Sequence, residues 1–206
     1  MGKPRQPDDR DVAAFDRRAA GYERGWRGQL HREISTRTAA LAAKEVGNPR
    51  RILDVGCGTG QLLRLLATAF TTASELRGID PAPSMIAVAV DNTDDPRLSF
   101  DAGGAEHLPY PDGHFDLVLA TTSFDHWSDQ RAGLQQCARV LGPGGVLVIV
   151  DLFSPLLAPT LLGQRRARAR TRGRAERLLR TTGFTALAWH DLYTPLIKAV
   201  TASHPE

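Results

Sequence analysis

The stretch that most constrains the fold runs from Arg51 to Gly60, where a short apolar segment ends in three glycines at alternate positions. The segment Arg-Ile-Leu-Asp-Val predicts a buried strand, and the Gln-Leu-Leu-Arg-Leu-Leu-Ala that follows Gly60 has helical spacing. Strand, glycine loop and helix together make half of a βαβ unit. Glycines allow positive φ and a close approach of the backbone to a ligand, and the N–H groups at the start of the helix point toward it. The stretch therefore predicts a ligand site at the end of the first strand.

The spacing of the glycines argues against a dinucleotide as that ligand. The pyrophosphate-binding pattern is Gly-x-Gly-x-x-Gly, and its third glycine would fall at Gln61, whereas the last glycine here is Gly60. Asp54 also lies in the strand just before the turn. Its charge would repel a pyrophosphate but suits a cationic or hydroxyl-bearing ligand.

The sequence Asp-Val-Gly-Cys-Gly-Thr-Gly at 54–60 resembles the first motif of the class I (seven-strand, Rossmann-like) S-adenosylmethionine-dependent methyltransferases. The Leu-Gly-Pro-Gly-Gly hinge at 141–145 matches the same family, and the resemblance, which covers about 50–202, is to the small-molecule type, similar to methyltransferase type 11. It implies an α/β fold with a doubly wound, mostly parallel seven-strand sheet. Helices on both faces, an antiparallel C-terminal hairpin and an N-terminal helical lid complete the expected architecture.

Two helices are predicted before the first strand. Apolar residues recur at helical spacing from Asp11 to about Tyr22, and a second helix is expected from about Gln29 to Val46. In the methyltransferases that the chain resembles, this region forms a lid, and Tyr22 would cover the cofactor. The alternative is that Tyr22 and Trp26 only pack on the sheet.

The length and composition limit the number of domains and the kinds of site that the chain can have. The 206 residues suffice for one domain, with an N-terminal helical lid at 1–48 and a methyltransferase core at 49–206. No apolar leader and no run of about 18 apolar residues is present, so a cytoplasmic protein without a membrane span is expected. Cys57 and Cys137 lack metal-ligand spacing, and no metal site is predicted. The arginine-rich stretch at 165–174 lacks interleaved aromatic residues, so we expect a solvated helix face rather than nucleic-acid binding.

The resemblance implies S-adenosylmethionine as cofactor and S-adenosylhomocysteine as product. Asp54 would orient the methionine amino group, and Ala105 and Glu106 would flank the adenine. Asp80 ends the second predicted strand 20 residues after Gly60, where Rossmann-like sheets place an acid for the two ribose hydroxyls; the alternative is a turn or capping aspartate. The predicted cofactor-binding set is Tyr22, Asp54, Gly56, Cys57, Gly58, Gly60, Asp80, Pro81, Met85, Gly104, Ala105, Glu106 and Thr121.

One position departs from the family pattern. The stretch after the third strand resembles the family's Gly-Asp-Ala-Glu-x-Leu-Pro-Phe, but Gly104 replaces the aspartate that accepts a hydrogen bond from the adenine amino group. Adenine recognition then falls to the backbone of Ala105 and to Glu106, or is weak.

The turn after the fourth strand, from Thr121 to Trp127, should face the transferable methyl group. His126, next to Asp125, is the candidate general base for a hydroxyl, amine or acidic carbon; the alternative is that it only lines the pocket. The acceptor pocket is expected between the N-terminal helices and residues 152–163, whose apolar side chains suggest a hydrophobic acceptor or a homodimer interface.

The predicted function is methyl transfer (EC 2.1.1.-) to an oxygen, nitrogen or carbon of a small molecule such as a secondary metabolite, quinone or lipid-like acceptor. Nucleic-acid methylation is disfavoured because no Asn/Asp-Pro-Pro-Tyr motif follows the fourth strand. A non-catalytic S-adenosylmethionine-binding or assembly protein that retains the fold is the remaining alternative, and Gly104 is its only support.

Overall fold

The computed structural model describes residues 9–154, 171–194 and 196–205. Two helices, α1 (Asp9–Asp16) and α2 (Gly25–Glu45), precede the sheet. The alternating part follows as β1 (Arg51–Val55), α3 (Gln61–Ala69), β2 (Glu75–Asp80), α4 (Pro83–Asp91), β3 (Leu98–Ala102), β4 (Phe115–Thr121), α5 (Gln130–Val140) and β5 (Leu141–Leu152). The last elements are α6 (Arg172–Thr181), β6 (Thr185–Asp191) and β7 (Ile197–Ser203).

The seven strands form one sheet in the order β3-β2-β1-β4-β5-β7-β6. Strands β1 to β5 pair in parallel, whereas β7 is antiparallel to both β5 and β6. This confirms the predicted doubly wound sheet with its C-terminal hairpin. The direction of winding reverses between β1 and β4, and in open α/β sheets ligands bind at the carboxyl ends of the strands beside such a reversal.

The central strands are apolar along their length because helices cover both faces of the sheet. Val118 of β4 packs into a cluster with Leu134 of α5 and Leu179 of α6. Its neighbour Leu117 points to the other face, where it joins a cluster with Ile34 of α2. The two faces therefore hold two separate cores, and the strand ends between them carry the loops.

Both N-terminal helices differ from their predicted bounds. Helix α1 ends at Asp16 instead of Tyr22, and a short 3-10 turn at Ala19–Gly21 follows it. Helix α2 begins at Gly25 instead of about Gln29. Gly28 lies inside the helix, where a Cβ would be 2.2 Å from the Glu23 backbone. This glycine therefore allows close packing and does not interrupt the helix. Trp26 is 69% exposed, so the alternative that it packs on the sheet is wrong.

Two predicted segments lie partly outside the described residues. The segment expected to line the acceptor pocket, 152–163, is described only to Ser154, and the arginine-rich stretch only from Thr171. Within the described part of the chain, no helix has both the length and the apolar character needed to cross a membrane.

Candidate functional site

The glycine loop after β1 brings backbone to the edge of a cavity. Gly56 has a φ of 79°, and a Cβ there would lie 2.3 Å from the Cβ of Ser123, so only glycine fits against that side chain. Gly58 has a φ of 53° and lines the cavity; among the described residues beyond its chain neighbours, none would come within 4 Å of a Cβ there. The open side of Gly58 is therefore available to a ligand.

Asp80, at the end of β2, ties the glycine loop to the start of α4. Its Oδ2 accepts a hydrogen bond from the Gly58 N–H and its Oδ1 accepts one from the Ala82 N–H, both at 2.9 Å. The carboxylate is 9% exposed and lines the cavity, and burial raises its pKa while the two backbone hydrogen bonds lower it. Each oxygen keeps a second lone pair, so the turn-aspartate role coexists with acceptance from ligand hydroxyls.

Asp54, Cys57 and Gly60 lie behind the loop and not in the cavity wall. Asp54 is 2% exposed, and burial together with the charge of Asp80 raises its pKa to about 8. Its Oδ1 has no hydrogen-bond partner within the described residues. The Cys57 thiol faces the core, since a Cβ at Gly78 would lie 2.7 Å from its Sγ.

Gly104, Ala105 and Glu106 form the wall across from the glycine loop. A Cβ at Gly104 would lie 2.8 Å from Oε2 of Glu106. The other carboxylate oxygen, Oε1, accepts a hydrogen bond from the Asp129 N–H at 3.0 Å. The Glu106 carboxylate therefore occupies the space that a side chain at position 104 would take.

Three buried polar atoms in the cavity residues have no hydrogen-bond partner in the described ranges. They are Oγ1 of Thr121, Nε1 of Trp127 and Oγ of Ser128, and all three residues line the cavity. Because buried polar groups in proteins are almost always hydrogen-bonded to protein, water or a ligand, these atoms are available to a polar ligand. The predicted cofactor-binding set included Thr121 but not Trp127 or Ser128, although Trp127 ends the predicted ligand-facing turn and Ser128 follows it directly.

The N-terminal segment closes the cavity from above. Val12, Phe15 and Tyr22 form part of its wall and also pack against Met85 on α4. Oδ1 of Asp16 accepts a hydrogen bond from the Ser84 N–H at 3.0 Å, which docks the end of α1 on the start of α4. Tyr22 therefore packs on α4 and lines the cavity, and its role in covering the cofactor stays a prediction. The free volume beneath is about 90 Å³, below the roughly 300–1,000 Å³ typical of ligand pockets.

The predicted cofactor residues fall into two groups. Ten line the cavity, and these are Tyr22, Gly56, Gly58, Asp80, Pro81, Met85, Gly104, Ala105, Glu106 and Thr121. Only Asp54, Cys57 and Gly60 stand back from it, on the buried side of the loop. Most of the predicted residues therefore lie around one cavity, at the carboxyl ends of the strands.

His126 stands between this cavity and a second one of about 770 Å³. The two cavities share Phe15, Tyr22, Thr122 and His126 as walls. The His126 ring packs edge-on against Phe15, with centroids 5.2 Å apart, and Thr122 holds a φ of 53°, which is strained for a residue other than glycine. His126 is thus placed to contact ligands in both cavities.

Asp151, at the end of β5, lies in the second cavity near His126. Its pKa is raised by burial and by the charge of Asp125, whereas hydrogen bonds from the Leu152 and Asp125 N–H groups and the charge of His126 act in the opposite direction. Asp125 and Leu152 also line this cavity. Asp125, His126 and Asp151 are therefore titratable groups of the second cavity, and they lie where it adjoins the first cavity.

Comparisons with known sequences agree with this geometry. A family profile described as a methyltransferase domain matches residues 53–149. The demethylmenaquinone methyltransferase of Deinococcus radiodurans is 36% identical over 137 residues, covering 66% of this chain and 52% of that protein. The ajmaline N-methyltransferase of Rauvolfia serpentina is 30% identical over 161 residues, covering 76% of this chain and 51% of that protein. The chain thus spans about half the length of these curated relatives.

The fold also has solved counterparts. One chain of the complex between the Haloferax volcanii Trm112 methyltransferase activator and a putative methyltransferase superposes with a TM-score of 0.76. The alignment covers 98% of this chain and 100% of that one at 18% identity, so it supports the fold alone. Together, the profile match, the strand order and the glycine-loop motif show that the chain belongs to the class I S-adenosylmethionine-dependent methyltransferases.

Proposed function

We propose that the chain transfers a methyl group from S-adenosylmethionine to an oxygen, nitrogen or carbon of a small molecule. The observation that carries the proposal is the meeting of two cavities at His126 and Thr122. One cavity has the features of a cofactor site, and the other is large enough for an acceptor. Such an arrangement lets a nucleophile approach a methyl donor along a fixed line, which removes orientational freedom from the reaction.

The chemistry of the residues that line the first cavity suits the cofactor of the family. Asp80 would accept hydrogen bonds from the ribose hydroxyls, and the open side of Gly58 would admit the methionine portion. Glu106 would accept a hydrogen bond from the adenine amino group, which compensates for Gly104. The unpartnered polar atoms of Thr121 and Ser128 offer further hydrogen bonds.

When bound, S-adenosylmethionine supplies a methyl carbon activated by a positively charged sulfur. The protein then has to hold the acceptor in line and exclude water, and Phe15 and Tyr22 cover the junction of the two cavities for this purpose. His126 would remove the proton of a hydroxyl or amine acceptor, and the buried Asp151 nearby would stabilise the imidazolium that forms.

The role of His126 is tested by His126→Ala with two separate readouts. We expect turnover to fall about 100-fold or more, as for loss of a general base, while the affinity for S-adenosylhomocysteine changes little. Equal turnover in the variant and the wild type would show that His126 only lines the cavity.

Methyl transfer itself is tested with a tritiated methyl donor. The protein is incubated with labelled S-adenosylmethionine and a metabolite extract of the source cells, and label is counted in the small-molecule fraction. Asp80→Ala serves as the matched low-affinity control. Labelled products that depend on Asp80 support the proposal. Tight S-adenosylhomocysteine binding without any label transfer would instead favour the non-catalytic alternative.

A further inference from the structure

Four arginines surround the second cavity. They come from the end of α1, the link to α2 and the first turn of α2, and we call them the arginine rim: Arg17, Arg18, Arg24 and Arg27. All four are exposed at the cavity mouth. The same cavity is lined by His126.

The four rim arginines are unpaired in the described part of the chain. Within the described residues, none of its four guanidinium groups makes a hydrogen bond or an ion pair. Arginines elsewhere do, as between Arg64 and Glu23 at 2.9 Å or Arg97 and Asp95 at 2.6 Å. Arg27 stacks over the ring of the exposed Trp26 at 5.3 Å, which holds the side chain but does not neutralise it.

Two acids of the same segment whose side chains are described, Asp16 and Glu23, have partners that do not line the cavity. Asp16 accepts from the Ser84 N–H, and Oε1 of Glu23 accepts from Oγ1 of Thr59 at 2.7 Å as well as pairing with Arg64. The segment 155–170, which follows β5 in the sequence, contains four arginines and no Asp or Glu. The two carboxylates that line the cavity, Asp125 and Asp151, lie beside His126. Among the described cavity residues, the rim itself therefore carries positive charge alone.

Local electrostatics add to this charge. Arg24 and Arg27 occupy the N-cap and first turn of α2, which has no acidic residue in that turn and no side-chain cap. The N-terminus of a helix already carries partial positive charge, so arginines there are unfavourable unless an anion binds. Burial, and then the Arg27 charge, lowers the pKa of His31 in the cavity wall. The rim thus acts on groups inside the cavity.

The cavity also has an apolar wall between the rim and the catalytic end. Phe15, Leu30, Ile34, Leu152 and Ile197 line it. An acceptor that fills the cavity would have its nucleophile near His126, an apolar body along this wall and a polar end at the rim.

We propose that the methyl acceptor is an organic anion, whose carboxylate or phosphate is bound by the arginine rim while its nucleophile faces His126. The inference rests on the proposed function, because it takes the second cavity as the acceptor site. Arginine binds carboxylate and phosphate through paired, charge-assisted hydrogen bonds, so both anions share the recognition chemistry. The rim would fix which end of the acceptor reaches the methyl donor.

The test measures binding of three small probes with the same phenyl body by ligand-observed NMR, using the full chain saturated with S-adenosylhomocysteine. Benzoate carries the carboxylate, phenyl phosphate carries the phosphate, and benzamide is the neutral control. The rim variant Arg24→Gln/Arg27→Gln is compared with Arg177→Gln/Arg180→Gln, which removes the same charge from α6 outside the cavity. A second rim variant, Arg17→Gln/Arg18→Gln, guards against a folding defect in the first.

We expect at least one anion to bind about ten-fold more tightly than benzamide to the wild type and to the α6 control. The rim variants should lose this preference, and added salt should weaken it in the wild type. Preference for benzoate or for phenyl phosphate identifies the anion. Equal binding of all three probes, no binding of either anion, or an unchanged preference in both rim variants would overturn the inference.

The outcome is separable from that of the proposed function. Binding of S-adenosylhomocysteine and label transfer without any anion preference would refute only the anionic acceptor. A rim-dependent anion preference in a chain that does not bind S-adenosylhomocysteine would refute the methyltransferase proposal and leave an anion-binding cavity.

Discussion

Replacing Asp54 with asparagine should remove a pH-dependent loss of stability. Asp54 is 2% exposed, and burial, followed by the charge of Asp80, raises its pKa from 3.8 to about 8. The unfolded chain releases this proton above about pH 4, whereas the folded protein keeps it up to about pH 8. Between these values the unfolded state binds fewer protons, so the free energy of unfolding falls as the pH rises.

The size of the effect follows from the pKa difference. A single titrating group changes the free energy of unfolding by at most about 1.4 kcal/mol per pH unit. From pH 4 to pH 7 the upper limit is therefore roughly 4 kcal/mol, and relaxation around the buried carboxyl should reduce it to about 1–3 kcal/mol. Asparagine does not titrate, so the stability of Asp54→Asn relative to the wild type should increase by this amount over the range.

Urea unfolding followed by tryptophan fluorescence at about pH 4.5, about pH 6 and about pH 7.5 measures this difference. Other titrating groups are present in both proteins and largely cancel. Asp94→Asn makes the same carboxyl-to-amide change at an exposed position and is the control. A constant difference between Asp54→Asn and the wild type at all three pH values would refute the buried, protonated state of Asp54.

Further substitutions test the cofactor cavity. Asp80→Ala leaves the N–H groups of Gly58 and Ala82 without their acceptor, so unfolding should cost about 2–3 kcal/mol less, and S-adenosylhomocysteine should bind at least about ten-fold more weakly by calorimetry. Unchanged affinity of Asp80→Ala for S-adenosylhomocysteine would show that Asp80 does not bind the ribose hydroxyls. Gly104→Asp should weaken the same binding because its side chain competes with the Glu106 carboxylate for one space. The double variant Gly104→Asp/Glu106→Ala should restore it, and absence of rescue would show that Glu106 does not replace the missing aspartate.

The sheet was predictable because its signals are local. Strands buried on both faces need near-continuous apolar sequence, and β1 at Arg51–Val55 lies where its apolar run predicted a strand. The N-terminal helices were less predictable, because their ends depend on contacts distant in sequence. The start of α2 is fixed by packing of Gly28 on Glu23 and by the Glu23–Arg64 ion pair, neither of which shows in a periodic pattern.

The site was predictable where spacing alone positions a side chain. The loop glycines and Asp80 follow from the strand-loop-helix pattern, whereas the side on which Cys57 lies depends on packing around Gly78. The arginine rim was missed because exposed arginines are common on solvated helices. A signal was available in the four arginines between positions 17 and 27, yet only the fold brings them to one cavity.

Calorimetric titration with S-adenosylhomocysteine, with NAD as a parallel control, tests the cofactor site most directly. We predict micromolar binding of S-adenosylhomocysteine to the wild type and no measurable binding of NAD. Absence of S-adenosylhomocysteine binding, or equal binding of NAD, would contradict the assignment of the glycine-loop cavity to this cofactor.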